Sequence, residues 1–196
     1  MRRPPLSRRF LGSLSLLALF WSVTPGAQSN APREEFTAVA MSIGGPTSSP
    51  VAGQLDITID RWSSDAERKQ LVAALAKGQD QLLDVLQDMK PVGRIRTPSS
   101  LGWDLRYAAQ RPTAEGGRQI VIATDRPISF WEAVNRPRLS DYPFTLIEMR
   151  LDRNGEGEGK LSRATRVIKG SDDMSVMLEN YESQPVALSR IQSKKR

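Results

Sequence analysis

The feature that most constrains the fold of this chain is a series of short strand patterns joined by turn residues, densest between Leu101 and Leu151. From residue 103 to 109 the side chains alternate with a period of two, which predicts a strand with two different faces. Gly116 and Gly117 offer the positive φ angles of a hairpin loop, and Ile120–Ile122 indicates a strand covered on both faces. The side chains expected on one face of the first strand are Trp103, Leu105, Tyr107 and Ala109.

The same alternation and punctuation recur along the rest of the chain. Arg153–Gly155 is the strongest hairpin signal, because both central turn residues tolerate a positive φ. Further strands are predicted over 35–43, 53–62, 92–97, 144–151, 157–168, 174–178 and 186–191. Strands joined by tight turns form antiparallel meanders, so we expect about eight or nine strands in a barrel or a sandwich.

Helical signals are confined to residues 64–89. Ser64 and Glu67 have the spacing of a capping box, in which each side chain bonds the backbone amide of the other residue. Gly78 interrupts the apolar stripe and Pro91 ends it, which favours a helix pair over one kinked helix. The predicted class is therefore α+β, mainly antiparallel β, with the pair packed on one side or end of the sheet.

Residues 1–29 are typical of a secretory signal peptide. Four arginines precede an apolar run from Leu11 to Val23, and Ala27–Ser29 offers a cleavage site of small residues. The run is short against the roughly 20 residues that span a bilayer, although an N-terminal membrane anchor is the alternative. Ser7–Leu11 resembles a twin-arginine signal, so the export route stays open between two systems. We expect a periplasmic or extracellular protein with no membrane span in its mature form.

Removing the signal segment changes the charge of the chain. The whole chain carries 28 basic and 22 acidic residues, and four of the basic ones lie in the signal segment, which leaves a net charge of +2. The high isoelectric point therefore does not indicate a nucleic-acid partner. Residues 30–52 are expected to form an N-terminal strand and loop, 53–192 one β-rich domain, and 193–196 a disordered basic tail.

The chain contains no cysteine and no histidine. An exported protein without disulfides depends on its hydrophobic core, for which roughly 165 mature residues suffice. A Ser-His-Asp triad, a cysteine nucleophile and the usual zinc, haem and copper sites are excluded. We therefore predict no cofactor and no metal site.

Aromatic side chains are the first set of candidate site residues. They have the size and polarity to line a pocket for an apolar or sugar ligand, although core packing explains most of them equally well. Two of them lie between two Arg-Pro breaks, at a place where binding loops usually occur. The predicted ligand-binding residues are Trp103, Tyr107, Phe130, Trp131 and Tyr142.

Charged side chains are the second set. Asp104 and Asp125 lie on successive strands, and two neighbouring carboxylates can cleave glycosides without histidine. The alternative is a solvated network of cross-strand ion pairs with the arginines nearby. The predicted polar network comprises Arg94, Arg96, Asp104, Arg106, Asp125 and Glu132.

Three functions remain open for such a chain. The first is a non-enzymatic exported protein that binds a small apolar or amphipathic ligand in a barrel or cleft. The second is a structural or partner-binding protein of the cell envelope, and the third is a histidine-free hydrolase of the carboxylate type. A cavity lined by Trp103 and Tyr107 would favour the first function, and a filled barrel with an exposed patch of Phe130 and Trp131 would favour the second.

Several segments of the chain resemble a group of exported bacterial proteins of unknown function. The similarity covers roughly residues 53–190 and implies export but no activity. The segments that carry it are Ile95–Pro98, Ser100–Gly102, Asp104–Ala108, Ala123–Ile128, Phe130–Glu132, Tyr142–Glu148, Gly155–Gly157 and Gly159–Ser162.

Overall fold

The computed structural model describes residues 33–42, 51–126, 128, 144–164, 166–169, 176–179 and 185–195, so the predicted signal peptide lies outside the described residues. Within these ranges the chain forms two helices and eleven strands. In chain order they are β1 (Glu34–Ser42), β2 (Val51–Ile59), α1 (Asp65–Lys77), α2 (Gln79–Asp88), β3 (Gly93–Arg96), β4 (Trp103–Leu105), β5 (Tyr107–Pro112), β6 (Arg118–Thr124), β7 (Phe144–Leu151), β8 (Glu156–Ala164), β9 (Arg166–Lys169), β10 (Val176–Glu179) and β11 (Val186–Lys195).

Nine strands form one antiparallel sheet in the order β4-β3-β2-β1-β11-β8-β7-β6-β5. The two outermost strands of this order, β4 and β5, are consecutive in the chain and are separated only by Arg106. They are two halves of one bent strand, of which the first pairs with β3 and the second with β6. The sheet thus curls into a nearly closed barrel, which confirms the predicted fold. Strands β9 and β10 form a separate two-stranded ladder.

The bend at Arg106 changes which side chains face the barrel interior. Leu105 points inward and is fully buried, and the next inward residue is Ala108, also fully buried. The sequence expectation that Tyr107 continues the inner face of Trp103 is therefore wrong. The physical reason is the change of pairing partner: the amide of Arg106 donates to the carbonyl of Ala123 (2.9 Å), and the extra residue at this corner swaps the faces of the strand.

The connections between strands fall at two ends of the barrel, because neighbouring strands run in opposite directions. The lower end carries the tight turns 113–117 and 152–155, and the segment that holds the helices also leaves β2 there. The Arg153–Gly155 hairpin is confirmed, with Gly155 at φ +81°. Among the described residues, the upper end carries the connection 97–102 and also Asp125 and Arg126, which follow β6.

Apolar side chains from all nine strands of the barrel form one buried cluster inside it. Ile57, Ile122 and Ile147, which come from three different strands, have an exposed fraction of 0%. A residue with no accessible surface borders no space large enough for a water molecule. The centre of the barrel is therefore occupied by the protein's own side chains at these positions.

The capping box predicted at the start of α1 is confirmed. The Ser64 hydroxyl accepts from the Glu67 amide (3.2 Å), and the Glu67 carboxylate accepts from the Ser64 amide (2.7 Å). Arg61 donates to both Glu67 oxygens, at 3.0 and 2.8 Å. This hydrogen bonding from Arg61, the largest influence, lowers the pKa of Glu67 to about 2. Gly78, at φ +136°, separates α1 from α2.

The helix pair covers the outer face of strands β5 to β7. Leu82, Leu86 and Met89 are buried against Phe144 and Leu146 of β7 in a second apolar cluster. The helix pair therefore lies on one side of the sheet, as predicted. Neither helix, within the described part of the chain, is long and apolar enough to cross a membrane.

The structure divides the chain differently from the sequence expectation in two places, at β1 and at the end of β11. Strand β1 is not a separate N-terminal element, since it lies between β2 and β11 in the barrel. Ser193, Lys194 and Lys195 do not form a disordered tail, because they extend β11 and pair with Phe36, Glu35 and Glu34. A paired neighbour satisfies the backbone groups that would leave a charged terminus frayed.

Candidate functional site

The described aromatic candidates do not share one pocket. Trp103 is partly buried and packs against the apolar cluster inside the barrel. Tyr107 is also partly buried, but it packs outside, in the cluster formed with the helix pair. Burial there raises the pKa of Tyr107 from 10.0 to about 12. The change of face at Arg106 thus separates two residues that the sequence pattern placed side by side.

The remaining aromatic candidates and one acidic candidate lie outside the described residues, so their proposed role stays a prediction. They are Phe130, Trp131, Glu132 and Tyr142.

Three of the predicted polar residues, Arg94, Arg96 and Asp104, form exposed ion pairs on the outer face of the barrel. Arg94 lies 3.4 Å from Asp104 across the β3–β4 pair, and Arg96 lies 3.5 Å from Asp56 across β2–β3. Both arginine side chains are more than half exposed. These are solvated cross-strand pairs of the kind that contribute about 0–1 kcal/mol.

Arg106 and Asp125 form a buried pair at the upper end. The Arg106 Nε lies 3.3 Å from Asp125 Oδ2, and their side chains are 16% and 4% exposed. Arg126 approaches the other carboxylate oxygen at 3.5 Å. Yet neither Arg106 Nε nor Asp125 Oδ1 makes a hydrogen bond, although both atoms are buried. The Arg106 guanidinium donates instead to the carbonyl of Met89 after α2 (2.9 Å).

The lower end carries a second buried pair, which the sequence analysis missed. The Arg118 guanidinium donates to both oxygens of Glu34, at 2.6 and 2.9 Å. It also donates to Gln110 (2.8 Å) and to Ser193 (3.2 Å) and lies over the ring of Phe36. Four strands, β1, β5, β6 and β11, therefore meet in one saturated polar cluster.

A sequence signal for this cluster exists in the strand alternation. Arg118 is two residues before Ile120, and Glu34 is two residues before Phe36, so each charged residue is in phase with a buried one. Two opposite charges placed on inward faces need each other, because an isolated buried charge is very unfavourable. The pattern predicts an inward pair, although it does not say which strands meet.

Two open grooves lie around the lower turns. The larger has a volume of about 780 Å³ and the smaller about 440 Å³. Both have charged walls of mixed sign and no aromatic side chain in their linings. Asp152 closes its own turn by accepting the amides of Asn154 and Glu156, and hydrogen bonding of this kind lowers its pKa. These grooves lack the apolar walls of a typical small-molecule pocket.

The described residues offer little to acid–base or metal chemistry. Asp104 and Asp125, the pair considered for glycoside cleavage, each face a different arginine. No group of three or more acidic side chains that could hold a metal ion occurs within the described ranges. The arrangement that the structure does supply is a barrel whose lower end holds a hydrogen-bonded charge cluster and whose upper end holds two buried charged atoms without hydrogen bonds, Arg106 Nε and Asp125 Oδ1.

Comparisons with known proteins do not assign the chain to a family. No protein-family model, curated protein or solved structure matches the chain. The resemblance to exported bacterial proteins therefore stays a prediction from the residues that carry it.

Proposed function

We propose that the protein is an exported, non-enzymatic binding protein that takes a small apolar or amphipathic ligand at the upper end of its barrel. The observation that carries this proposal is the difference between the two ends. The lower end is closed by the Glu34–Arg118 cluster, whereas the upper end combines two buried charged atoms without hydrogen bonds, Arg106 Nε and Asp125 Oδ1, with the connection 97–102. Loops on a rigid β scaffold are the usual place for binding groups.

The test is native mass spectrometry of the protein isolated from the compartment to which it is exported. We expect the protein to carry a small-molecule adduct. Organic extraction should remove this adduct, and adding the extract back should restore it at one molecule per chain. Amide resonances of residues 97, 99–102 and 124–126 should then shift, while those of the lower turns 113–117 and 152–155 stay unchanged. Shifts confined to the lower turns, or an extract that restores nothing, would contradict the proposal.

A partner-binding role in the cell envelope is the second candidate, and Leu101 favours it. This side chain is 93% exposed at the upper end. Its turn is rigid, since the Thr97 amide donates to the Ser100 hydroxyl (3.0 Å) and the Ser100 amide to the Thr97 carbonyl (3.2 Å). Gly102 follows at φ +86°, where a Cβ would lie 2.5 Å from the carbonyl oxygen of Ile95. A preorganised apolar side chain loses little entropy on binding.

Leu101→Asp tests this second candidate, with Ala114→Asp at the exposed lower turn as the matched control. Both variants should keep their stability within about 0.5 kcal/mol. A partner that contacts the upper end should be lost from the purified complex of Leu101→Asp alone. Equal retention in both variants would exclude Leu101 as a contact.

A further inference from the structure

Three residues that follow β6, namely Asp125, Arg126 and Ile128, fold over the upper end of the barrel, and we call them the strap. The hydroxyls of Thr124 and Thr145 both donate to the carbonyl of Arg126, at 2.6 and 3.1 Å. The amide of Ile128 donates back to the Thr145 hydroxyl (3.2 Å). Ile128 is 1% exposed and belongs to the apolar cluster inside the barrel. The strap therefore places one apolar side chain into the core from above.

The polar half of the strap is held much less well. Asp125 Oδ2 lies 3.3 Å from Arg106 Nε, and its buried Oδ1 lies 3.5 Å from Arg126 Nε. Neither Oδ1 nor Arg106 Nε makes a hydrogen bond, although Arg106 also donates to the carbonyl of Met89. At the lower end, by contrast, Arg118 makes four hydrogen bonds to Glu34, Gln110 and Ser193. A buried polar atom without a partner is unfavourable, and lifting the strap would return both atoms to water. Opening the upper end would therefore break fewer hydrogen bonds between charged side chains than opening the lower end.

We propose that the strap is a displaceable plug that occupies a ligand site, and that the ligand is an amphipathic monocarboxylate. Ile128 holds the place of the ligand's apolar end, and Asp125 holds the place of its carboxylate, opposite Arg106. Three residue steps span at most about 10 Å, which suits a medium-length alkyl chain such as decanoate. A pocket of this kind belongs to a minor state that a ligand makes dominant. This inference rests on the proposed function and specifies its ligand class.

Hydrogen exchange of the wild-type protein tests the plug directly. The Ile128 amide is bonded only while the strap is down, whereas the Ile147 amide lies in β7 at the barrel centre. We expect Ile128 to exchange at least about a hundredfold faster than Ile147, through an opening smaller than global unfolding. Decanoate should accelerate exchange at Ile128 by about tenfold more, because bound ligand holds the strap open. Exchange of both amides at one rate, or no acceleration by decanoate, would overturn the inference.

A matched pair of carboxylate-to-amide variants tests the chemistry of the site. Asp125→Asn removes the group that competes for Arg106, and Glu34→Gln makes the same change at the lower end. We expect the Kd for decanoate to fall by about tenfold in Asp125→Asn, because the ligand's carboxylate no longer competes with that of Asp125 for Arg106. Glu34→Gln should leave it within about twofold, and decanol, which lacks the charge, should bind neither variant better than wild type. An equal change in both variants, or none, would contradict the assignment.

The two proposals fail in different ways. If the natural adduct maps to the upper end while Ile128 exchanges no faster than Ile147, the binding function stands and the plug is excluded. If decanoate opens the strap but the exported protein carries no adduct, the site exists and the ligand-binding function is contradicted.

Discussion

At the scale of single residues, Tyr107 shows how burial on the outer face of the sheet alters its chemistry. Burial against the helix pair disfavours the charged phenolate and raises the pKa to about 12. The unfolded chain ionises near 10, so Tyr107 stabilises the fold fully below that pH and loses this contribution as the pH rises toward 12. Wild type minus Tyr107→Phe should therefore show one tyrosinate absorbance step near pH 12. A difference step near pH 10 would place Tyr107 in water.

At the scale of elements, the helix pair depends on its seam with β7. Leu86 is 2% exposed and packs with Phe144 and Leu146, so Leu86→Asp should lower the free energy of unfolding by about 3–5 kcal/mol, as an unpaired buried charge does. Asp84→Ala, on the exposed side of the same helix, should change it by no more than about 0.5 kcal/mol. Urea denaturation separates the two cases. Equal small effects would mean that the pair does not pack on the barrel.

At the scale of the whole molecule, the Glu34–Arg118 pair joins the first strand of the barrel to a strand 84 residues away. Removing either charge leaves the other buried, so Glu34→Leu or Arg118→Leu should each destabilise by about 3–5 kcal/mol. The double variant should lose less than the sum of the two, because no unpaired charge remains.

The exposed pair of Arg94 and Asp104 provides the control for this cycle. Single leucine variants there should cost at most about 1 kcal/mol, since water already solvates both partners. Chemical denaturation measures the free energy of unfolding of all these variants, and the m-value should stay unchanged among them. Equal losses at both pairs would show that the lower cluster is no more important than a surface contact.

Much of this architecture is contained in local signals of the sequence. The capping box of Ser64 and Glu67 and the turn Arg153–Gly155 depend on residues a few positions apart, so the chain determines them without reference to its fold. Alternation over short runs likewise predicted the strands, and tight turns predicted an antiparallel meander. The exclusion of histidine and cysteine chemistry follows from composition alone.

The tertiary structure decided everything that depends on which strand meets which. Closing the barrel bends one strand at Arg106 and swaps its faces, so Trp103 and Tyr107 lie in different clusters. It also pairs Glu34 with Arg118, and it brings Arg106 to Asp125 at the upper end. A two-residue period predicts that a side chain faces inward. Which residue it meets across the barrel depends on barrel closure and strand register, and no local sequence pattern specifies these.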